Sequence, residues 1–227
     1  MKLTDLIEHP TFEVTLPITK SVVKYRPWTV KEEKKLLIAK ESSDVIDKLN
    51  AITEIVALCS DTPNDLPVVD TEFLFYNIRI QSVGPTIPLI FDRQYDAVAD
   101  LNKLKVVFPE GHTNRFKLSE KLGITMKYPT YETAKKIIQK QESNEDIITF
   151  EIIQDCIDYI ETPSKRFKFS EYDAIEQEEF FDSLNHEAVD KIAEFFQTAP
   201  YILLTINYDT PEGAKEYEVK SLANFFS

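Results

Sequence analysis

The residues from position 45 to position 59 constrain the fold most, because their apolar side chains recur at helical spacing. Five of them follow one another at steps of 4, 3, 4 and 3 residues: Val45, Leu49, Ile52, Val56 and Cys59. This spacing places all five on one face of an α-helix, which must pack against other apolar surface. We therefore predict a helix with one buried side, in a chain of 227 residues that is long enough to bury a core without disulfides.

The segment before this helix predicts a β-hairpin and another helix. Apolar and polar residues alternate over residues 12–16, and a second extended run covers residues 22–26, as in two paired strands. Thr29 and Glu32 have the spacing of a capping box, which predicts a helix from Val30 onward. Three residues should form the apolar side of that helix: Leu36, Leu37 and Ala39.

A third helix is predicted to begin after Asp70, which is a suitable N-cap residue. Apolar side chains nearly encircle this helix: Phe73, Leu74, Phe75, Tyr76, Ile78 and Ile80. A short helix that is apolar all round is expected to be central and buried. Arg79 lies within it and needs polar partners there. We expect a carboxylate or backbone carbonyls to hold Arg79, with a ligand-binding role as the less favoured alternative.

Glycine and proline punctuate short β-like stretches in the middle of the chain. These stretches predict one small antiparallel sheet, from residues 87–91, 105–108, 115–118 and 124–127. Two helices are predicted next, over residues 130–141 and 144–160. The second of them has one apolar stripe: Phe150, Ile153, Ile157 and Ile160.

The last part of the chain predicts a helix over EYDAIEQEEFFDSL, a helix capped by Asn185, and a hairpin. The strands YILLTINY and KEYEVKSL flank the turn DTPEG, as in a β-hairpin. The predicted class is therefore α+β: an N-terminal β-hairpin with a three-helix core, a small antiparallel sheet in the middle, C-terminal helices and a β-hairpin. The best linker is ETPSK, residues 161–165, which separates an N-terminal body (1–160) from a C-terminal subdomain (161–227). One continuous domain is the alternative.

Composition excludes several classes of partner. The net charge of −13 opposes nucleic-acid binding, which requires a basic surface. No stretch approaches the ~20 apolar residues of a membrane span, and the first residues, MKLTDLIEHP, lack the apolar run of a signal peptide. We expect an intracellular protein that binds neither nucleic acid nor membrane.

The sequence contains no recognisable catalytic or metal-binding pattern. Its four glycines form no phosphate-binding loop. His9, His112 and His186 are isolated from one another, and Cys59 and Cys156 are too far apart for a metal motif. We expect two buried structural thiols, no metal, no cofactor and no enzymatic activity.

Two basic stretches each allow a structural and a functional interpretation. SKRFKF (residues 164–169) interleaves basic and aromatic residues. In an acidic protein this pattern favours a charged edge strand over a nucleic-acid surface. The second stretch is a solvated face or a face toward an acidic partner, and its members are Lys24, Arg26, Lys31, Lys34 and Lys35.

Two long segments carry a family resemblance: RPWTVKEEKKLLIAKES and LPVVDTEFLFYNIRIQSVG. They resemble the baseplate hub subunit and hub-assembly proteins of T-even-like contractile-tailed bacteriophages. GITMKYP, FFQTAPYILLTINY and LANFF are similar to elements that follow there in the same order, so the resemblance covers nearly the whole chain. Some relatives carry paired cysteines where this chain reads PTIPLIFDRQ and INYDTPEGAKEYEV. Since both stretches lack cysteine here, we expect no zinc-stabilised knuckle.

The resemblance implies a viral protein made in the host bacterial cytoplasm that binds other baseplate hub or tail proteins. It leaves open whether the protein stays in the virion tail baseplate as a subunit or departs as a chaperone. The predicted partner-binding residues are Leu222, Phe225, Phe226, Arg166 and Phe167. A function of another class rests on charge alone: an acidic phage protein that inhibits a host nucleic-acid-binding protein by charge mimicry. An enzymatic interpretation has no positive support.

Overall fold

The computed structural model describes residues 7–63, 65–139 and 151–220. Helices and several small antiparallel sheets make up this part of the chain, which confirms the predicted α+β class. The described residues form two compact units: one contains those up to Val107 and from Tyr201 onward, and the other contains those within Phe108–Pro200. The predicted boundary after residue 160 differs from this division, because residues 160 and 161 lie in one strand of the second unit.

The helices are α1 (Val30–Glu41), α2 (Val45–Cys59), α3 (Val68–Val83), α4 (Tyr131–Gln139), α5 (residues 151–155), α6 (Ala174–Asp182) and α7 (His186–Gln197). The strands are β1 (Phe12–Thr15), β2 (Val22–Tyr25), β3 (Thr86–Phe91), β4 (Tyr95–Asp100), β5 (Lys105–Val107), β6 (Arg115–Lys117), β7 (Gly123–Met126), β8 (Ile157–Glu161), β9 (Arg166–Lys168), β10 (Tyr201–Thr210) and β11 (Gly213–Val219).

The N-terminal hairpin and the first two helices form as predicted. β1 and β2 pair antiparallel. The carboxylate of Glu32 accepts hydrogen bonds from the backbone N–H of Thr29 at 2.5 Å and from its hydroxyl at 2.6 Å, so the capping box starts α1. α2 packs against α1 and α3. It buries four of the five predicted face residues: Leu49, Ile52, Val56 and Cys59.

Asp70 does not cap α3, and that prediction is wrong. α3 begins at Val68, directly after Pro67, so Asp70 lies inside its first turn. The fully buried Asp70 carboxylate accepts hydrogen bonds from the backbone N–H groups of Ile18 (2.7 Å) and Thr19 (2.9 Å). These two donors belong to the turn between β1 and β2, so Asp70 ties the hairpin to α3.

The predicted middle strands belong to three different sheets rather than to one. β3 pairs with β4, a strand that the sequence did not predict. β5 pairs with β10 near the end of the chain, Tyr201 lying opposite Val107, and β10 also pairs with β11. The remaining two stretches, β6 and β7, join the second unit.

The second unit is built on an antiparallel sheet in the order β6–β7–β8–β9. The inner face of this sheet packs on α6 and α7 through one apolar cluster: Ile124, Met126, Ile153, Cys156, Ile157, Phe169, Phe181, Ile192 and Phe195. Ile157 and Ile160 lie in β8, which corrects their predicted place in a helix. Their spacing suits a helix locally, but pairing with β7 and β9 decides the strand.

Candidate interaction surfaces

Edge strand β9 carries two of the predicted partner-binding residues. The guanidinium of Arg166 lies 3.6 Å from the centre of the Tyr159 ring, and its Nε lies 3.1 Å from the carboxylate of Glu161. Phe167 is half-buried, and the ammonium of Lys165 lies 4.6 Å from the centre of its ring. β9 is the last strand of its sheet, so the predicted edge strand is confirmed. Three further predicted residues lie outside the described residues: Leu222, Phe225 and Phe226.

Both edges of this sheet read Arg-Phe-Lys, as Arg115–Lys117 in β6 and Arg166–Lys168 in β9. Because side chains alternate between faces along a strand, the two outer residues of each triplet share a face. Strand register forms two rows there. One is Arg115, Thr125, Tyr159 and Lys168, and the other is Lys117, Gly123, Glu161 and Arg166.

Glu161 organises the middle of this outer face. Its carboxylate accepts hydrogen bonds from Nε of Arg115 at 2.6 Å and from the hydroxyl of Thr125 at 2.9 Å. Burial opposes the charged form, but these hydrogen bonds and the charges of Arg115 and Arg166 outweigh it, so the pKa of Glu161 is lowered. The carboxylate stays ionised and keeps the two arginines extended over the sheet.

Helix α1 exposes an apolar stripe that the sequence did not predict. Val30, Leu37 and Ile38 are 67%, 57% and 74% exposed. They lie at positions i, i+7 and i+8, on one side of the helix. Leu37 was expected on the buried side, but Ala39 and Glu32 occupy that side instead. Glu32 can be buried there because it is paired.

Arg26 belongs to the predicted basic cluster, but it pairs with Glu32 and is therefore not available to contact a partner. Arg26 donates to the Glu32 carboxylate at 2.8 Å and 3.3 Å, and to the backbone carbonyls of Pro27 at 2.9 Å and Leu58 at 3.0 Å. Burial would raise the pKa of Glu32, but hydrogen bonds from Arg26 and Thr29 lower it to about 2. Arg26 therefore has a structural role.

The remaining titratable candidates are also held by structural contacts. Arg79 donates to the carbonyls of Gly84 (2.6 Å) and Thr86 (3.5 Å), which confirms the expected structural role. Cys59 and Cys156 are free and buried. Burial raises the pKa of Cys59 to about 11 and that of Cys156 to about 12, so neither is a thiolate nucleophile near neutral pH.

His112 lies within a continuous chain of hydrogen bonds in the second unit. The hydroxyl of Thr198 donates to the carbonyl of Glu194 at 2.7 Å, so it accepts from Nδ1–H of His112 at 3.0 Å. Nε2 of His112 then accepts from the hydroxyl of Tyr128 at 2.8 Å, and Phe195 covers the ring at a centroid distance of 5.5 Å. Burial lowers the pKa of His112. The neutral ring fits this site.

An open groove of about 450 Å³ lies between α5, α6 and the start of α7. Apolar and acidic side chains line it together, among them Phe181, Leu184, Val189, Glu178 and Asp182. Within residues 7–63, 65–139 and 151–220, no group of three His, Cys, Asp or Glu side chains is placed to hold a metal ion. None of the helices in those ranges is long and apolar enough to span a bilayer.

Comparison with known proteins identifies a family that this chain matches. A family model described as T4 bacteriophage base plate protein matches residues 9–227, which is nearly the whole chain. No curated protein and no solved structure matches significantly.

Proposed function

We propose that this chain, which belongs to the T4 bacteriophage base plate protein family, acts at the base plate hub through protein–protein contact rather than catalysis. Its partners are then other hub or tail proteins of the phage. It would be made in the host bacterial cytoplasm, where tails assemble.

The exposed stripe on α1 is the observation that supports this contact role best. Burying Val30, Leu37 and Ile38 would remove apolar surface from water, which is the main favourable term in most protein association. Lys31 and Lys34 are exposed on the same helix and have no ion pair with any residue that the structure describes. A partner surface that is apolar with acidic residues around it would fit this stripe.

Co-purification from infected cells tests the stripe directly. Because Leu37 and Ile38 are exposed, Leu37→Gln with Ile38→Gln should leave the fold intact while it removes the apolar contact. We expect this double variant to lose the phage tail proteins that copurify with the wild type. Val22→Thr changes another exposed apolar residue, on β2, and is the matched control. Equal recovery of tail proteins with all three would reject α1 as the docking surface.

Two versions of the hub role differ in the fate of the protein. A permanent subunit remains in the particle, whereas an assembly factor leaves before the tail is complete. Mass spectrometry of purified virions beside the infected-cell lysate separates the two: peptides in both samples mean a subunit, and peptides in the lysate alone mean an assembly factor.

The C-terminal apolar residues remain a second predicted contact, together with Arg166 and Phe167. Deletion of residues 222–227 should leave the protein folded and weaken binding to its partner. Normal hub assembly with the truncated chain would show that these residues are dispensable.

Charge mimicry of nucleic acid is the alternative function. The acidic run on α6 favours it, because residues 171–182 contain six acidic side chains and no basic one. Recovery of a host nucleic-acid-binding protein with the tagged wild type, in place of tail proteins, would support mimicry over the hub role.

A further inference from the structure

Charge is segregated between two surfaces of the second unit. The two outward rows of its sheet carry four cations, Arg115, Lys117, Arg166 and Lys168, and one carboxylate, Glu161, a net charge of +3. Residues 171–197, which include α6 and α7, carry nine acidic side chains against one lysine, a net charge of −8. The basic face stands out in a chain whose total charge is −13.

The two charged surfaces lie on opposite sides of one apolar layer. Ile124 and Ile157 of the sheet and Phe181, Ile192 and Phe195 of the helices meet in the same buried cluster. The sheet cations point away from that cluster, because they alternate with inward residues along their strands. Layers of this kind are about 10 Å apart, and salt screens exposed charges beyond about 8 Å at physiological ionic strength. The two surfaces therefore do not neutralise each other within one copy.

Unpaired charges are available on both surfaces. Lys117 and Lys168 are exposed and have no ion pair with any residue in the described ranges, unlike Arg115 and Arg166, which share Glu161. On the side of α6 that borders the open groove, the exposed residues Glu178 and Asp182 likewise have no cation partner among the described residues. Ile175, 68% exposed, lies on the same side of α6 at i−3 from Glu178 and offers an apolar contact point.

We propose that this chain associates with copies of itself, the basic sheet face of one copy binding the acidic α6 surface of the next. The two patches are different surfaces of one molecule, so the contact is heterologous and repeats head to tail into a ring or an open chain. This association goes beyond the hub role and does not depend on which tail protein the chain binds. Complementary charge sets the register of such a contact and speeds its formation.

Sedimentation velocity of the full chain tests the association and its electrostatic origin. We expect concentration-dependent oligomers at about 0.05 M salt that dissociate at about 0.5 M salt, where screening is much stronger. Lys117→Glu with Lys168→Glu should raise the apparent dissociation constant by at least about tenfold, because like charges then face each other. Glu178→Lys with Asp182→Lys should do the same from the other side. Lys31→Glu with Lys34→Glu, on α1, changes the net charge by the same amount and sign as Lys117→Glu with Lys168→Glu and is the matched control for that variant.

A mixture of the two reversed variants gives the decisive outcome. Each variant alone should be monomeric, whereas the equimolar mixture should recover association, since every contact in it again joins opposite charges. Circular dichroism on each variant shows whether the fold is retained. If the Lys117→Glu, Lys168→Glu variant is unfolded, Lys117→Gln with Lys168→Gln takes its place, with weaker association expected. A monomeric wild type at low salt would overturn the proposal. Oligomers that persist at high salt and in both charge-reversed variants would overturn it as well.

Discussion

Replacement of Asp70 by alanine should destabilise the first unit by more than the loss of a helix cap. The buried carboxylate accepts two hydrogen bonds from the turn between β1 and β2, at 2.7 Å and 2.9 Å. Hydrogen bonds to a charged group are worth about 1.5–3 kcal/mol each. Loss of both should lower the free energy of unfolding by about 3–6 kcal/mol, whereas loss of an N-cap costs about 1 kcal/mol.

Urea unfolding followed by tryptophan fluorescence measures this loss in the unit concerned. The single tryptophan of the chain, Trp28, packs on Phe75 of α3 at a ring-centroid distance of 6.0 Å and so reports on the same helix. Asp70→Asn is the matched variant, because its amide oxygen can still accept one of the two hydrogen bonds. We expect its loss to be about half that of alanine. A loss near 1 kcal/mol for both variants would refute the claim that Asp70 ties the β1–β2 hairpin to α3, and would leave only a role at the helix end.

Three further perturbations test the structural contacts. The pKa of Glu32 is about 2 in the folded chain against about 4.3 unfolded. Its contacts with Arg26 and Thr29 together should therefore add about 3 kcal/mol of stability above pH 5, lost as the pH falls toward 2. Glu32→Gln should remove this acid dependence from a pH series of urea titrations. The pKa of His112 is lowered, so the stability of the second unit should fall as the pH drops below about 6.5, and the thermal melts of His112→Gln should lack that slope. Val56→Asp places an unpaired carboxylate on the buried face of α2. The circular dichroism of this variant at neutral pH should show an unfolded first unit. A native spectrum would mean that α2 is not packed as described.

Features that depend on neighbouring residues were predictable from the sequence. The capping box of Thr29 and Glu32 places both partners within one turn, and Asn185 caps α7 through the N–H of Ala188 three residues away. The apolar face of α2 is likewise a property of its own spacing. Such signals need no knowledge of the rest of the fold.

Features that depend on distant residues were not predictable in the same way. Aspartate is a residue type that favours the N-cap position, but the two N–H groups that donate to Asp70 lie 51 and 52 residues away in the sequence. Its role could therefore be found only from the folded structure. The spacing of Ile157 and Ile160 fits a helix, and only the pairing of β8 with β7 and β9 makes them a strand. Short apolar stretches are ambiguous for this reason.

The basic sheet face was predictable from the sequence only in part. SKRFKF predicted the edge strand β9, and the second Arg-Phe-Lys triplet at residues 115–117 marks the opposite edge. What the sequence lacks is the register that aligns both triplets with Glu161 on one face. The exposed stripe on α1 was missed because buried Glu32 takes a place that its charge alone would assign to solvent.

The central claim is that this base plate protein acts by binding other proteins of the phage tail. Its most direct test is quantitative mass spectrometry of the proteins that copurify with the tagged wild-type chain from infected cells. The account predicts one or more hub or tail proteins in amounts comparable to the chain itself, lost in the Leu37→Gln, Ile38→Gln variant. Recovery of the folded chain with no phage tail protein at all would contradict it.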